Sequence, residues 1–249
     1  TVLSPLHVGS GRTLLQGYDF VTHDGRTWRV DEDALLDATM GGGETFDTAL
    51  LGRPADELLR DNDYDPDSDL FRYVMTGVPA ATSRGAEVSA QIKDAFGKPY
   101  LPGSSLKGAL RTLLFWGIHA ESDQRPDLRR MKRSRNWASQ PLEQAVFGKD
   151  PNHDWLRALR VRDSEPVDPD GALALTTVRV FPTSDRGRGG LDVDIEALTP
   201  GTALRAEIAL ATYGFTDPEA ATLRWQGKRQ WIKDLPKLGK LRARERLLA

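Results

Sequence analysis

Lys107 and Arg111 are four residues apart in the segment Pro99-Tyr100-Leu101-Pro102-Gly103-Ser104-Ser105-Leu106-Lys107-Gly108-Ala109-Leu110-Arg111. On a helix that spacing puts both cations on one face, with Cβ atoms within about 6 Å of each other. The segment reads as the start of such a helix. Pro99 and Pro102 keep the backbone extended up to Gly103, and Ser104 or Ser105 supplies a hydroxyl to cap the first turn. Leu106, Leu110, Leu113, Leu114 and Ile118 then form an apolar stripe near the 3.6-residue period. A helix N-terminus favours an anion through its free N–H groups and its dipole. Gly103, Ser104, Ser105, Lys107, Gly108 and Arg111 therefore have the makings of a phosphate cradle with two cations above it. A Walker A loop is excluded, because neither its glycine spacing nor the hydroxyl after its lysine is present. The plainer alternative is a capped amphipathic helix with solvated charges.

A second glycine-bearing stretch favours the anion-binding reading. Gly9-Ser10-Gly11-Arg12 follows His7 and reads as a flexible turn whose N–H groups approach phosphates, with Arg12 adding charge. A search for catalysis yields little. The four histidines, His7, His23, His119 and His153, share no metal-ligand spacing. There is no G-x-S-x-G or H-E-x-x-H motif. His7 has the chemistry of a general acid or base, but a histidine at a strand end more often serves as a hydrogen-bonding group. Asp31 and Asp33 could act in RNA cleavage, yet Arg29-Val30-Asp31-Glu32-Asp33-Ala34 has the look of a charged helix start. We therefore expect no catalytic residues, no metal ligands and no cofactor.

These residues need elements to hold them. Val2–Leu6 reads as a short strand. Tyr18–Val21 and Thr27–Val30 flank Asp24-Gly25, a strong hairpin-turn signal. A short helix is expected over Asp31–Ala38. Residues 41–69 are acidic and loop-rich, and they mark an insertion that interrupts the core. In Ala86–Phe96, Val88, Ile92 and Phe96 are spaced by fours. Pro141–Phe147 reads as a helix ending at Gly148. Leu159–Glu165, Ala172–Phe181 and Thr202–Thr212 read as strands, and the chain from Glu219 to Leu248 as helix broken near Pro236 and Gly239. Arg125–Arg135 and Ser184–Gly190 are basic loops. This order fits an α+β fold with a ferredoxin-like (RRM-like) β-α-β-β-α-β core carrying large insertions.

Composition sets outer bounds. The 249 residues are enough for one elaborated domain or two small ones. The single-domain reading has an acidic insertion at about 31–85 and a basic helical region at about 213–249. The net charge of −2 is nearly balanced, but acids dominate the first 70 residues while Arg125–Arg162 and Arg224–Arg246 are basic. The absence of cysteine excludes disulfides and thiolate chemistry. No apolar run approaches the roughly 20 residues of a membrane span, and no signal-peptide pattern opens the chain. A soluble cytoplasmic protein with no membrane partner is expected. The sequence opens on Thr1 rather than methionine, so it is expected to omit a terminus or an internal loop.

Pro102–Arg111 resembles the signature of the RAMP superfamily of CRISPR effector proteins. Leu3-Ser4-Pro5-Leu6-His7-Val8-Gly9-Ser10-Gly11 resembles that superfamily's opening strand and loop. With Arg160-Val161-Arg162-Asp163-Ser164, these stretches are most similar to the family of fifth subunits of type III-A (Csm) effector complexes. The resemblance runs from about Val2 to Leu210. It implies a RAMP fold and a noncatalytic subunit that holds the guide RNA backbone near its 3′ end and caps the row of backbone subunits. It implies guide (CRISPR) RNA and adjacent backbone subunits as partners, with target RNA and separate trimming nucleases as further ones. The expected RNA-binding residues are His7, Gly9, Ser10, Gly11, Arg12, Gly103, Ser104, Ser105, Lys107, Gly108 and Arg111. Family members usually carry a glycine-rich loop near the C-terminus, where this chain has only Gly227 and Gly239. Two other readings stand beside this one: a RAMP endoribonuclease cleaving guide precursor or target RNA, and a protein-interaction module without RNA affinity.

Overall fold

The computed structural model describes residues 1–40, 52–121, 129, 131, 134, 137–181 and 190–248. Most of the basic loop Arg125–Arg135, most of Ser184–Gly190 and the first part of the acidic stretch 41–69 lie outside these residues. The chain forms two compact units interleaved in sequence, where the sequence reading above expects a single domain. Thr1–Leu101 and Glu165–Arg205 make the first, and Pro102–Ser164 and Ala206–Ala249 the second.

In chain order, the first unit begins with β1 (Gly9–Leu15), β2 (Phe20–His23), β3 (Arg26–Val30), α1 (Glu32–Met40), the single turn α2 (Ala55–Leu58), β4 (Phe71–Thr76) and β5 (Glu87–Gln91). The second unit follows with α3 (Gly103–Glu121), α4 (Gln140–Phe147) and β6 (Leu159–Ser164). The chain returns to the first unit through the turn α5 (Pro169–Ala172), β7 (Leu173–Val180) and β8 (Leu191–Leu198). It ends in the second with β9 (Ala206–Leu210), the turn α6 (Tyr213–Thr216), α7 (Arg229–Lys233) and α8 (Leu235–Leu248).

The first unit is built on a seven-stranded mixed sheet of order β1-β5-β8-β7-β4-β3-β2. Its edge strands β1 and β2 meet at a Gln16–Phe20 bridge, so the sheet curls on itself. The curl is lined by Leu14, Phe20, Tyr73, Met75, Val88, Leu173 and Leu198. The opposite face of β3 and β4 packs Trp28, Val30 and Phe71 around Leu35 of α1. The expected hairpin is β2–β3, with Asp24 at φ 49° and Gly25 at φ 70°, the left-handed pair that a tight two-residue turn requires.

Several expectations are corrected here. Val2–Leu6 is not a strand: Leu6 forms a bridge with Leu198, and Val2 is buried and exchanges backbone hydrogen bonds with Gly201 and Thr202. Gly9–Arg12 is not a free turn but the start of β1, paired with β5. The stretch 31–85 is not wholly an insertion, since β4 lies between β7 and β3, burying Tyr73 and Met75 inside the curl at the two-residue strand period and, beyond an irregularity in its pairing with β3, Phe71 in the other cluster. Ala86–Phe96 follows the same period, burying Val88 and Ala90 and leaving Phe96 outside. β8 has no counterpart in the sequence reading.

In the second unit, β6 and β9 form an antiparallel pair. A core of Leu114, Phe147, Trp155, Leu156, Trp225 and Leu238 fills the space between its helices. The break expected near Pro236 falls at Asp234, between α7 and α8, and Pro236 itself sits in the first turn of α8, where no intrahelical N–H is needed; α8 then runs on through Gly239 without the second expected break. A further interruption comes earlier, at Arg224 (φ 56°) and Gly227 (φ 77°).

Candidate nucleic-acid interface

His7 to Arg12 belong to the first unit, and Gly103 to Arg111 to the second. In the first unit β1 carries an irregularity: from Gly9 to Thr13 it advances four residues while β5 advances two, from Gln91 to Ser89. Gly11 sits inside this bulge at φ 81°, a backbone conformation that favours glycine. The bulge frees Ser10, Gly11 and Arg12 from regular pairing, and these three and the paired Gly9 are all exposed. Ser10 Oγ donates to Ala90 O at 3.2 Å and accepts from Arg12 N at 3.2 Å. Arg12 pairs with Asp19 at 2.9 Å while its side chain remains largely exposed. His7 Nδ1 lies 2.7 Å from Glu196 O, which fixes the ring against the sheet.

Beside this bulge is a cleft of about 280 Å³ whose wall includes Ser10, Arg12, Arg29, Arg72, Gln91 and Lys93. Of these, only Ser10 and Arg12 were legible as site residues. Beneath the cleft, Glu196 is fully buried. Its carboxylate accepts from Tyr73 Oη at 2.6 Å, from Gln91 N at 2.8 Å and from Lys93 Nζ. Burial pushes the Tyr73 phenol well above its usual range, and the charge and hydrogen bond of Glu196 push the same way. Burial lowers Lys93 below the usual ammonium value, and Glu196 only partly opposes this. Arg29 is spent internally, donating to Asp19 O, to Val30 O at 2.7 Å and to Glu32 at 2.9 Å. Arg72 reaches Asp31 at 3.3 Å and Glu32 at 3.0 Å, but it is half exposed. Exposed pairs of this kind hold by about 1 kcal/mol or less, so Arg12 and Arg72 remain available to a competing phosphate. Gln91 Oε1 accepts from Val8 N at 2.9 Å, whereas its buried Nε2 has no partner among the described residues.

The second unit uses its helix differently from the expected cradle. Gly103 N donates to Asp163 Oδ1 at 2.7 Å, so the protein supplies its own anion at the start of α3. Gly103 is buried, and a Cβ there would lie 2.3 Å from Val161 O. Lys107 Nζ donates to Leu159 O at 2.7 Å. Burial lowers its pKa from the usual value, with Asp154 opposing and Arg111 reinforcing the shift. Arg111 bridges Glu143 at 3.1 Å and Asp154 at 2.6 Å, and its guanidinium lies 4.0 Å over the Phe147 ring. Both cations thus brace the second unit. What α3 offers to solvent is a face of small residues, Ser104, Gly108, Ala109 and Thr112, with open space where a Gly108 side chain would stand. Ser105 is half-buried.

The remaining candidates are dispersed. His23 stacks on Tyr64 at 3.9 Å, His119 faces Phe115 on α3, and His153 Nδ1 is 2.7 Å from Asp150. Asp31 caps α1 through Ala34 N at 3.2 Å, as the charged helix start predicts. Among the described residues, no group of three His, Asp or Glu side chains is placed to hold a metal ion. No described helix is long and apolar enough to cross a membrane.

Comparison with known proteins places this architecture. The Csm5 protein of a CRISPR system of Streptococcus thermophilus is 34% identical over 132 residues, which is 51% of this chain and 35% of that protein. The chain therefore spans about a third of that relative. The crystal structure of T. onnurineus Csm5 superposes with a TM-score of 0.64 at 28% identity, covering 89% of this chain and 68% of the other. A chain in the cryo-EM structure of a Csm-crRNA-target RNA ternary complex of a type III-A CRISPR-Cas system gives a TM-score of 0.61 at 28% identity, covering 86% of this chain and 63% of that one. The fold is thus the α+β RAMP fold, a ferredoxin-like core with insertions, in a Csm5-like form. The profile of the RAMP superfamily matches residues 1–241, and the chain belongs to that superfamily.

Proposed function

We propose that this chain is a noncatalytic, RNA-binding subunit of a type III-A CRISPR effector ribonucleoprotein. It holds the guide RNA by its backbone near the 3′ end and caps the filament of adjacent backbone subunits. The observation that carries this reading is the bulge of β1, which presents Gly9, Ser10, Gly11 and Arg12 at the rim of a cleft also lined by Arg72 and Lys93. Exposed N–H groups and arginines at a bulge bind phosphates without regard to sequence. A guide must be held whatever its spacer, so this is the chemistry required. The exposed face of α3 from Ser104 to Thr112 gives a phosphate backbone room for close approach. In this reading Lys107 and Arg111 act mainly by setting the pose of that helix. The likeness to Csm5 and to a chain of a Csm-crRNA-target RNA complex supports the assignment, and contacts with target RNA, neighbouring subunits and trimming nucleases are part of it. The reading also has the protein act in the cytoplasm.

The test is binding of a labelled single-stranded RNA across a salt series. Arg12→Gln/Arg72→Gln removes cations from the cleft, and Ser104→Glu/Gly108→Glu puts negative charge on the open face of α3 without touching an internal bond. Each should weaken binding about tenfold and alike for unrelated RNA sequences, with the RNA intact in the presence or absence of magnesium. Unchanged binding by both variants would sink the reading, and cleavage by the pure protein would replace it with an endoribonuclease.

A further inference from the structure

The second unit contains another cleft, of about 380 Å³, between the end of α4 and the turns that precede α7. Its lining includes Lys149, His153, Arg224 and Lys228 and, among the described residues, no Asp or Glu. Among the described residues, none of Lys149, Arg224 and Lys228 forms an ion pair, unlike Arg12, Arg72 and Arg111. Asp150, which does not line the cleft, has its Oδ1 2.7 Å from His153 Nδ1 and accepts there from the N–H groups of Asn152 and His153 at 2.9 and 3.0 Å. The floor is rigid. Trp225 Nε1 donates to His153 O at 2.9 Å, Trp155 Nε1 donates to Val146 O at 3.0 Å, and a Cβ at Gly148 would lie 2.3 Å from His153 O.

The backbone adds a second observation. Arg224 stands at φ 56°, a conformation unusual for any residue but glycine, asparagine or aspartate. A glycine would fit there without strain. An arginine held in that conformation at the wall of a cleft lined by cations points to a use for its guanidinium, since strain of this kind collects at ligand-binding positions. Unpaired cations in a concave, low-dielectric wall also focus the field on whatever enters.

We propose that this cleft binds a phosphodiester of single-stranded RNA, with Lys149, Arg224 and Lys228 as its cations. It is a second RNA contact, in the other unit from the β1 bulge, and it rests on the reading of the chain as an RNA-binding protein. A ribose-phosphate unit fits a concavity of this size. An acidic helix or sheet of a partner protein would instead present its carboxylates as a broad convex surface.

The test uses the full chain, a fluorescein-labelled single-stranded RNA and fluorescence anisotropy across a salt series. Lys149→Gln/Arg224→Gln/Lys228→Gln should weaken binding roughly tenfold or more, and should reduce the slope of log affinity against log salt by about 2, the value for three lost contacts. Arg224→Gly separates binding from folding: it should raise the melting temperature by relieving the backbone while still weakening RNA binding. Wild-type affinity and slope in the triple variant, with Arg12→Gln/Arg72→Gln impaired, overturn the second site alone. Failure of the wild-type chain to bind RNA overturns the functional reading and this proposal together. Displacement of the RNA that remains on the Arg12→Gln/Arg72→Gln chain by poly-glutamate as readily as by unlabelled RNA would show a carboxylate-binding surface at this cleft instead.

Discussion

Asp163 Oδ1 accepts the backbone N–H of Gly103 at 2.7 Å, so the helix that bears Lys107 and Arg111 begins with an anion of the protein's own. Gly103 is glycine for a reason of space: its missing side chain would collide with the carbonyl of Val161 and the carbon of Arg162 at 2.3 and 2.7 Å. A backbone carbonyl cannot swing aside as a side chain can. Gly103→Ala should therefore cost at least the ~1–3 kcal/mol typical of overpacking. Asp163→Ala should cost about 1 kcal/mol, as loss of a helix cap does. Urea denaturation of the two variants checks both, and an Asp163→Ala chain as unstable as Gly103→Ala would contradict the division between cap and contact.

The buried carboxylate of Glu196 and the ammonium of Lys93 form an ion pair in the first unit's polar interior. Glu196→Gln leaves Lys93 without its counter-charge in a site where burial already disfavours the ammonium. Loss of one partner of a buried pair costs about 3–5 kcal/mol. Adding Lys93→Met removes the stranded charge, so the double variant should recover much of that loss. Denaturant midpoints of the two singles and the double give the coupling, and additive losses would mean that the two groups act independently.

That same carboxylate explains why part of the fold was hidden in the sequence. Leu191-Asp192-Val193-Asp194-Ile195-Glu196 alternates as a strand should, but it turns the wrong residues inward for a simple reading. Asp194 and Glu196 are buried, Asp194 receiving Ala80 N at 2.9 Å and Thr177 Oγ1, while Leu191 is exposed. Acids are read as solvent-facing until their distant partners are known, and here those lie up to 123 residues away. β4 was obscured by the acidic segment before it, and β1 by glycines that look like a turn yet form a bulge. The elements that were legible, α3, the β2–β3 hairpin, α1, α4, β6, β7 and β9, carry local signals such as caps, a glycine turn or a clear period. The candidate site divides the same way: Ser10 and Arg12 are marked by their glycines, whereas Lys93 and Arg72 join them only through strand pairing.

The Tyr73 hydroxyl, 2.6 Å from Glu196, gives the first unit an alkaline limit. Its folded pKa is raised well above the ordinary 10.0 by burial and then by Glu196. The folded protein therefore keeps this proton at pH values where the unfolded chain loses it. Stability from this group is fully present below pH 10.0 and is lost progressively as pH rises from there toward the folded pKa. Tyr73→Phe should cost about 1.5–3 kcal/mol at neutral pH, the range for a hydrogen bond to a charged group, and should flatten the decline above pH 10.0. Denaturation at a series of alkaline pH values tests both, and an equally steep decline in the variant would exclude Tyr73 as its source.

Gly117 lies inside α3, one turn from its C-terminal end, where glycine still weakens a helix, and its reason is the neighbouring helix. A Cβ at Gly117 would come within 2.8 Å of Leu238 Cδ2, and Leu238 of α8 is almost fully buried. The clash is with the end of a flexible side chain, so Gly117→Ala sets better helix propensity, worth about 1 kcal/mol, against a forced shift of Leu238. A net loss of up to about 2 kcal/mol is expected. Leu238→Ala opens a cavity and should cost about 2–5 kcal/mol. The double variant is the decisive one: the new methyl at 117 enters the space that Leu238 vacates, so Gly117→Ala should become neutral or stabilising in the Leu238→Ala background. Thermal or urea unfolding of the four proteins measures this reversal of sign. A Gly117→Ala penalty that persists without the leucine would show that helix α3 needs the glycine for its own backbone, not for its contact with α8.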